Sequence, residues 1–168
     1  SKWQAGLFLM LVYMNEERNP AMVARIAKPY VRRFPGNLEA VSLYAEACAC
    51  LGRFEKASAL LDTLTRGMQN LEPAGQKAWR TKQRYLKGVI AMEQGQFDTA
   101  ERIFQEALAE YFWEFGWYRA LMYLKMGKMA DAQKQRQKAR RYYQQAIDTD
   151  EKPRAVRMAK KYRKSPFI

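Results

Sequence analysis

The sequence predicts an all-α chain of stacked helical hairpins, and three observations support this class. Apolar residues recur at three- and four-residue steps along most of the 168 residues, which is the period of an amphipathic helix. Glycine and proline are sparse, with 9 and 6 residues, and no β-branched alternation runs longer than a few residues. A motif of glycine, an aromatic residue or methionine two residues on, and alanine five residues on occurs three times, which indicates that one hairpin repeats.

The first predicted helix covers residues 3–14, from Trp3 to Met14, and is apolar on nearly all sides. Such a helix needs cover, so we expect it to be buried, and a homodimer formed through it is one hypothesis. Its apolar run is too short to cross a bilayer, and no small-residue cleavage site follows it. We therefore expect neither a signal peptide nor a transmembrane helix in this chain, and a cytoplasmic location is favoured.

The next four helices follow from capping residues and apolar stripes. Asn19 and Pro20 begin the second helix, and Pro29 is expected to kink or split it near Ala27. Helices are predicted over residues 38–51, from residue 54 onward and over residues 76–94. Residues 67–75 form the longest predicted loop.

The C-terminal half continues the pattern. Gly95 turns the chain into a helix with an apolar stripe from Phe97 to Ala107. Residues 111–118 hold six aromatics in eight positions and are expected to span a tight junction between helices. Gly127 is predicted to turn the chain again, into a helix that begins near Met129.

The last predicted helix starts at Pro153 after a loop over residues 148–152. Its apolar residues form one stripe, and its other positions are almost all Lys or Arg. A final helix with a polar outer face is typical of the end of a stacked array, so residues 153–164 are predicted to form a capping helix.

The three copies of the motif begin at Gly52, Gly95 and Gly127, at spacings of 43 and 32 residues. This pattern resembles the tetratricopeptide repeat family, whose unit is a helix–turn–helix of about 34 residues. Ala45, Gly88 and Ala120 match the small residue of the family's first helix, and Ala57, Ala100 and Ala132 match that of the second. The sequence departs from the pattern where Val41, Arg84 and Gly116 replace an early tryptophan and where Arg136 replaces a large apolar residue.

The resemblance implies a single domain over residues 1–168, built as a right-handed α-solenoid of about four hairpins plus the capping helix. The repeats are assigned to residues 3–36, which are degenerate, and to residues 37–75, 76–112 and 113–150.

Membership of this family would imply a concave groove lined by the first helix of each hairpin, which binds a peptide or a partner helix. The groove is expected to be acidic and small near Glu39, Ser42, Glu46 and Ala49, and apolar towards its C-terminal end. The partner-binding residues predicted there are Tyr85, Val89, Met92, Trp117, Leu121 and Leu124. Some family members clamp a terminal carboxylate with a Lys/Asn/Arg set, but Ser42, Glu46 and Val89 occupy the positions that it needs. For the aromatics Trp113, Phe115 and Trp117, both ligand contact and repeat core remain open.

A second reading concerns the charge, which is +13 for the chain and +8 within residues 131–168 alone. This distribution predicts either a solvated end or an electrostatic adaptor that binds nucleic acid or an anionic membrane. The basic patch predicted for this role consists of Lys134, Lys138, Arg141, Arg157, Lys160, Lys161 and Lys164. The favoured function is a protein–protein interaction scaffold, the adaptor is the alternative, and the sequence does not identify the partner.

Enzymatic activity is not expected. The chain has no histidine, which removes the commonest general base, nucleophile partner and zinc ligand. Cys48 and Cys50 lie two residues apart on a predicted helix, so their side chains diverge and do not bridge. The sequence therefore predicts no catalytic residues, no metal site and no cofactor.

Overall fold

The computed structural model describes residues 2–14, 18–110, 118–149 and 153–167. Within these ranges the chain forms nine α-helices and no strand, which confirms the predicted all-α solenoid. The helices are α1 (Lys2–Val12), α2 (Pro20–Arg33), α3 (Leu38–Cys50), α4 (Phe54–Met68), α5 (Pro73–Glu93), α6 (Phe97–Ala109), α7 (Tyr118–Ala132), α8 (Arg136–Asp148) and α9 (Pro153–Lys164).

Consecutive helices pack in pairs, and the first helices of successive pairs contact one another. The closest pairs are α3 with α4, α5 with α6 and α7 with α8, while α1, α3, α5 and α7 form the inner row. Helix α9 packs on both α7 and α8 and covers the last hairpin. One core cluster runs from Met10 to Met129, and a smaller one joins α7 and α8 to α9.

Local sequence explains where several helices begin and turn. The side chain of Asn19 accepts a hydrogen bond from the backbone N–H of Met22 at 3.0 Å, and Asn37 caps α3 in the same way. Gly52 and Gly95 occupy the turns of the second and third hairpins with φ of 71° and 76°. Glycine adopts this left-handed conformation without steric cost, so both turns form where the sequence predicts them.

The predicted turn at Gly127 is wrong. Helix α7 continues through Gly127 to Ala132, and the left-handed turn residue is Lys134, with φ of 60°. Gly127 instead lies against the ring of Tyr143, where a Cβ atom would come within 3.0 Å of three ring atoms. Gly88 lies against Phe104 in the same way. The third copy of the motif therefore begins at Lys134, 39 residues after Gly95, and Gly127 corresponds to Gly88.

Two further boundaries differ from the sequence prediction. The expected loop over residues 67–75 is shorter, because α4 runs to Met68 and α5 begins at Pro73. Gly67 lies within α4, where the side chain of Leu38 occupies the space of a Cβ atom. Helix α2 is continuous through Pro29, so the expected split near Ala27 does not occur.

Helix α1 is buried on one side only. Met10 is fully buried, whereas Phe8 is 67 % exposed and Leu9 is also exposed. The expectation of a buried first helix is thus met on one face, and the homodimer through it stays a prediction. The aromatic stretch 111–117, with Trp113, Phe115 and Trp117, lies outside the described residues.

Candidate interaction groove

Two adjoining concavities lie along the inner row of helices, and most of the predicted groove residues border them. The inner cavity, of about 30 Å³, is bordered by Tyr85, Leu121 and Leu124. The outer cleft, of about 310 Å³, is bordered by Met92. Val89 is fully buried and borders neither, and Trp117 lies outside the described residues. The groove is therefore narrower than a fully open concave face.

Both ends of the described chain contribute to this narrowing. Met14 and Arg18, at the end of the first helix and in the following loop, border the inner cavity from one side. Ala155 and Met158 of α9 border it from the other, and Phe167 borders the outer cleft. Apolar side chains Phe97 and Met129 complete the walls of the outer cleft.

Among the described residues, the walls of the two concavities carry more positive than negative charge. These residues include four cations, Arg18, Lys125, Lys128 and Arg154, and two carboxylates, Glu46 and Glu93. Arg18, Lys125 and Lys128 border both spaces, so the positive charge lies where the inner cavity and the outer cleft meet.

Both carboxylates already have protein donors. The hydroxyl of Tyr85 donates to Glu46 at 2.6 Å, and burial, followed by the neighbouring Glu46 charge, raises the pKa of this hydroxyl well above its usual value. The thiol of Cys50 donates a long hydrogen bond to Glu93 at 3.9 Å. Burial raises the pKa of that thiol to about 11, so Cys50 is protonated at neutral pH.

Lys125 is the most deeply buried cation of the groove, with 4 % of its surface exposed. Its Nζ atom lies 5.8 Å from the centre of the Tyr85 ring, and no carboxylate of the described residues forms an ion pair with it. By contrast, the equally buried Lys82 forms an ion pair with Glu39 at 2.5 Å. A buried ammonium is unfavourable unless polar groups or a negative charge compensate it, and here the Tyr85 ring supplies part of that compensation.

Lys128 lies beside Lys125 and faces the aromatic rings of the C-terminal segment. Its Nζ atom is 4.6 Å from the centre of the Phe167 ring and 5.3 Å from that of Tyr162. Burial, together with the charges of Arg18, Lys125 and Arg154, lowers the pKa of Lys128 to about 7, although Glu93 opposes this effect. At neutral pH its charge is therefore sensitive to any anion that enters the cleft.

The acidic end predicted for the groove is largely internal. Ser42, Glu46 and Ala49 are buried, and Glu39 is held by Lys82. Glu39 and Glu46 form polar contacts of α3 with α5, whereas the Ser42 hydroxyl donates to the backbone carbonyl of Glu39 within α3. Of these four residues, Glu46 borders the inner cavity.

Asp131 fixes the C-terminal segment that forms one wall of the outer cleft. It accepts hydrogen bonds from the Arg136 guanidinium at 3.0 and 3.1 Å, from the Tyr143 hydroxyl at 2.8 Å and from the backbone N–H of Phe167 at 2.8 Å. The Phe167 ring packs edge-on against Tyr162. Asp131 is thus one anchor of this wall, beside the hydrogen bond from Arg136 to a backbone carbonyl of α9.

The predicted basic patch occupies the surface of α8, of α9 and of the turn before α8. Lys138 is not available as a free cation, because it forms an ion pair with Glu101 at 2.6 Å. The other six patch residues are exposed, which are Lys134, Arg141, Arg157, Lys160, Lys161 and Lys164. Arg141 and Lys164 share one surface depression with Arg140, a residue that the sequence-based selection omitted.

Sequence reasoning also missed the charged residues of the groove. Lys125 and Lys128 lie within an apolar stretch of α7, whose hydrophobic residues surround the helix. Because Gly127 is a packing glycine rather than a turn, Lys128 corresponds to the predicted groove residue Val89, and the wrong prediction of a turn there is why sequence reasoning missed it. Arg18 lies 107 residues before Lys125 in the chain, so no local pattern connects them.

The described part of the chain also bears on metal binding and membrane insertion. No group of three or more Cys, Asp or Glu side chains there has the arrangement of a metal site. None of its helices combines the length and the hydrophobicity that a membrane span requires.

Paired helices, packing glycines at equivalent positions and a groove on the inner row define a helical-repeat protein. Two family models described as tetratricopeptide repeat match residues 85–134 and residues 120–153. Residues 85–153 therefore match tetratricopeptide repeats, as the motifs predict, and such repeats form scaffolds for protein–protein interaction. This fold is typically not that of an enzyme.

A solved structure supports the same fold. The chain is similar to a protein described as "MamA RS-1 ArsTM double mutant", with 19 % sequence identity and a TM-score of 0.50. The similarity covers 89 % of this chain and 76 % of the other. A search of curated proteins gives no match.

Proposed function

We propose that this protein binds a peptide or a partner helix in the concave groove formed by the inner cavity and the outer cleft. The observation that carries the proposal is the outer cleft, which combines apolar walls with a charged floor at Lys125 and Lys128. Recognition sites in proteins typically have this composition, in which apolar walls provide affinity and a few polar groups fix orientation. The volume of about 310 Å³ accommodates one or two large side chains of such a peptide or helix.

Site-specific photo-crosslinking tests this proposal. A photoreactive amino acid replaces Met92, which is half-buried at the cleft, and in a matched variant it replaces Asp62, which is exposed on α4 away from the cleft. We expect a discrete protein to crosslink in cell extract at position 92 and not at position 62. Equal crosslinking at both positions, or none at position 92, contradicts binding in the groove.

An electrostatic adaptor is the second candidate, and one observation favours it. Arg140, Arg141 and Lys164 border the same depression between α8 and α9, so their charges act on one ligand. Binding of double-stranded DNA or of anionic vesicles is then expected to weaken steeply as salt rises. Replacement of Arg140 and Arg141 by Glu is expected to abolish it, and unchanged binding contradicts this candidate.

A further inference from the structure

This inference rests on the proposed function. We infer that the ligand of the groove is a protein segment with both acidic and apolar residues, and that one of its carboxylate side chains lies between Lys125, Lys128 and Arg18. The apolar residues of the segment pack on the walls of the outer cleft. The partner is thereby defined by its chemistry, namely aspartate or glutamate next to large apolar residues.

Lys125 has no counter-ion among the residues that the structure describes. Within the described residues this lysine is nearly fully buried, borders both concavities and forms no ion pair. Lys82 differs from Lys125 in this respect, because it is buried to a similar degree but forms an ion pair with Glu39. A ligand carboxylate at Lys125 would supply the missing partner, and a charge-assisted hydrogen bond in such a site is strong.

The described residues around the groove carry an excess of positive charge. Within the described residues, three cations border both concavities, namely Arg18, Lys125 and Lys128. Glu46 and Glu93 each accept a hydrogen bond from the protein. Burial is the main cause of the lowered pKa of Lys128, and the charges of Arg18 and Lys125 lower it further, so an approaching cation would be repelled. One added negative charge relieves this repulsion, whereas a basic or neutral ligand does not.

The shape of the site suits a carboxylate beside an apolar side chain. The inner cavity, of about 30 Å³, holds a carboxylate or a few waters at most. The outer cleft beside it is bordered by Met92, Phe97, Met129 and Phe167, which suit an apolar side chain. A single carboxylate side chain reaches such a recess, whereas the phosphates of a double helix or of a lipid surface suit the open face of α8 and α9 better.

A selection of random peptides displayed on phage tests the inference with the whole chain as bait. We expect peptides enriched in aspartate or glutamate beside leucine, phenylalanine or methionine. For a selected peptide, replacement of its acidic residue by the isosteric amide should weaken binding at least about tenfold in calorimetry. Lys125→Met should weaken it by a similar factor, while Lys160→Met, which removes the same charge from the exposed surface of α9, should change it less than about twofold.

The outcomes separate this inference from the proposed function. Peptides that crosslink at position 92 but bind equally well as amides overturn the carboxylate and leave the groove intact. If the selection yields no peptide that binds in the cleft, both the carboxylate inference and the proposed function are overturned. Short DNA and anionic vesicles are also tested as competitors of the acidic peptide in this assay. If they displace it from the wild type and Lys125→Met abolishes that displacement, the inference is overturned, because the cations of the groove then bind a polyanion. The peptide-side substitution keeps the test valid even if a lysine variant folds poorly.

Discussion

The substitution Lys128→Met should stabilise the protein, and by more at low pH than at high pH. Burial beside Arg18, Lys125 and Arg154 lowers the pKa of this lysine from 10.5 to about 7 in the folded chain. Below about pH 7 the folded protein therefore carries a charge that its surroundings disfavour. Methionine fills a similar volume without that charge, and its thioether suits the contact with Phe167.

The expected size follows from the pKa change of Lys128. One pKa unit corresponds to about 1.4 kcal/mol, so the lowered pKa sets an upper bound of about 5 kcal/mol on the cost at low pH. The side chain is only partly buried, and screening by solvent reduces the expected stabilisation to about 1–3 kcal/mol.

The sign of the pH dependence is fixed by linkage. Between pH 7 and 10.5 the unfolded chain retains the proton on Lys128 while the folded chain loses it, so the wild type gains stability as pH rises through this window. The advantage of the methionine variant is complete below about pH 7 and should fall by roughly half between about pH 6 and about pH 9.

Urea denaturation of the two proteins at both pH values measures this difference. Other titrating groups are common to both chains and cancel in the comparison. Lys160→Met serves as the control, since this lysine is exposed on α9 and its removal should leave the free energy of unfolding nearly unchanged. An advantage of Lys128→Met that stays constant or grows with pH would refute the assignment of Lys128 as a buried, repelled cation.

Two further substitutions test the packing that shapes the groove. Gly127→Ala should lower the free energy of unfolding by about 1–2 kcal/mol, because overlap of the new methyl with the Tyr143 ring outweighs the helix propensity of alanine. Gly75→Ala, whose methyl meets only ordinary contacts, should be neutral or slightly stabilising, and equal behaviour of the two in thermal denaturation would contradict the close approach. Asp131→Asn should destabilise by about 3 kcal/mol, since it weakens an acceptor that holds a guanidinium, a hydroxyl and the C-terminal backbone. The same change at Asp98, an exposed residue, should have almost no effect, and a similarly small effect at Asp131 would argue against a wall held by that carboxylate.

The fold was predictable because it depends on local patterns. Apolar periodicity, Asn caps and left-handed glycines act within a few residues, and they place Gly52 and Gly95 correctly. The last hairpin shows the limit of this reasoning. A glycine serves a turn or a close helix contact equally well, and Gly127 serves the contact, while Lys134 adopts the turn conformation at a small energetic cost.

The composition of the groove was predictable only in part. The inner-row positions Tyr85, Leu121 and Leu124 follow from the repeat, and they do border the inner cavity. The repeat does not predict how exposed these side chains are, because their exposure depends on how Arg18 and α9 approach the inner row from distant parts of the chain.

The closure of the groove from both sides also explains why its centre is positively charged. In an open concave face a lysine such as Lys125 would extend into water and would need no partner. Here Met14, Arg18 and Met158 surround it, so water no longer solvates the ammonium fully, and the contact with the Tyr85 ring replaces only part of that solvation. Because the same closure brings Arg18 towards Lys128, we expect the affinity of the groove for an anion to depend on the position of Arg18 relative to α7. A ligand that bridges these cations would therefore stabilise the whole solenoid, whereas a ligand of the exposed patch on α8 and α9 would stabilise only its end.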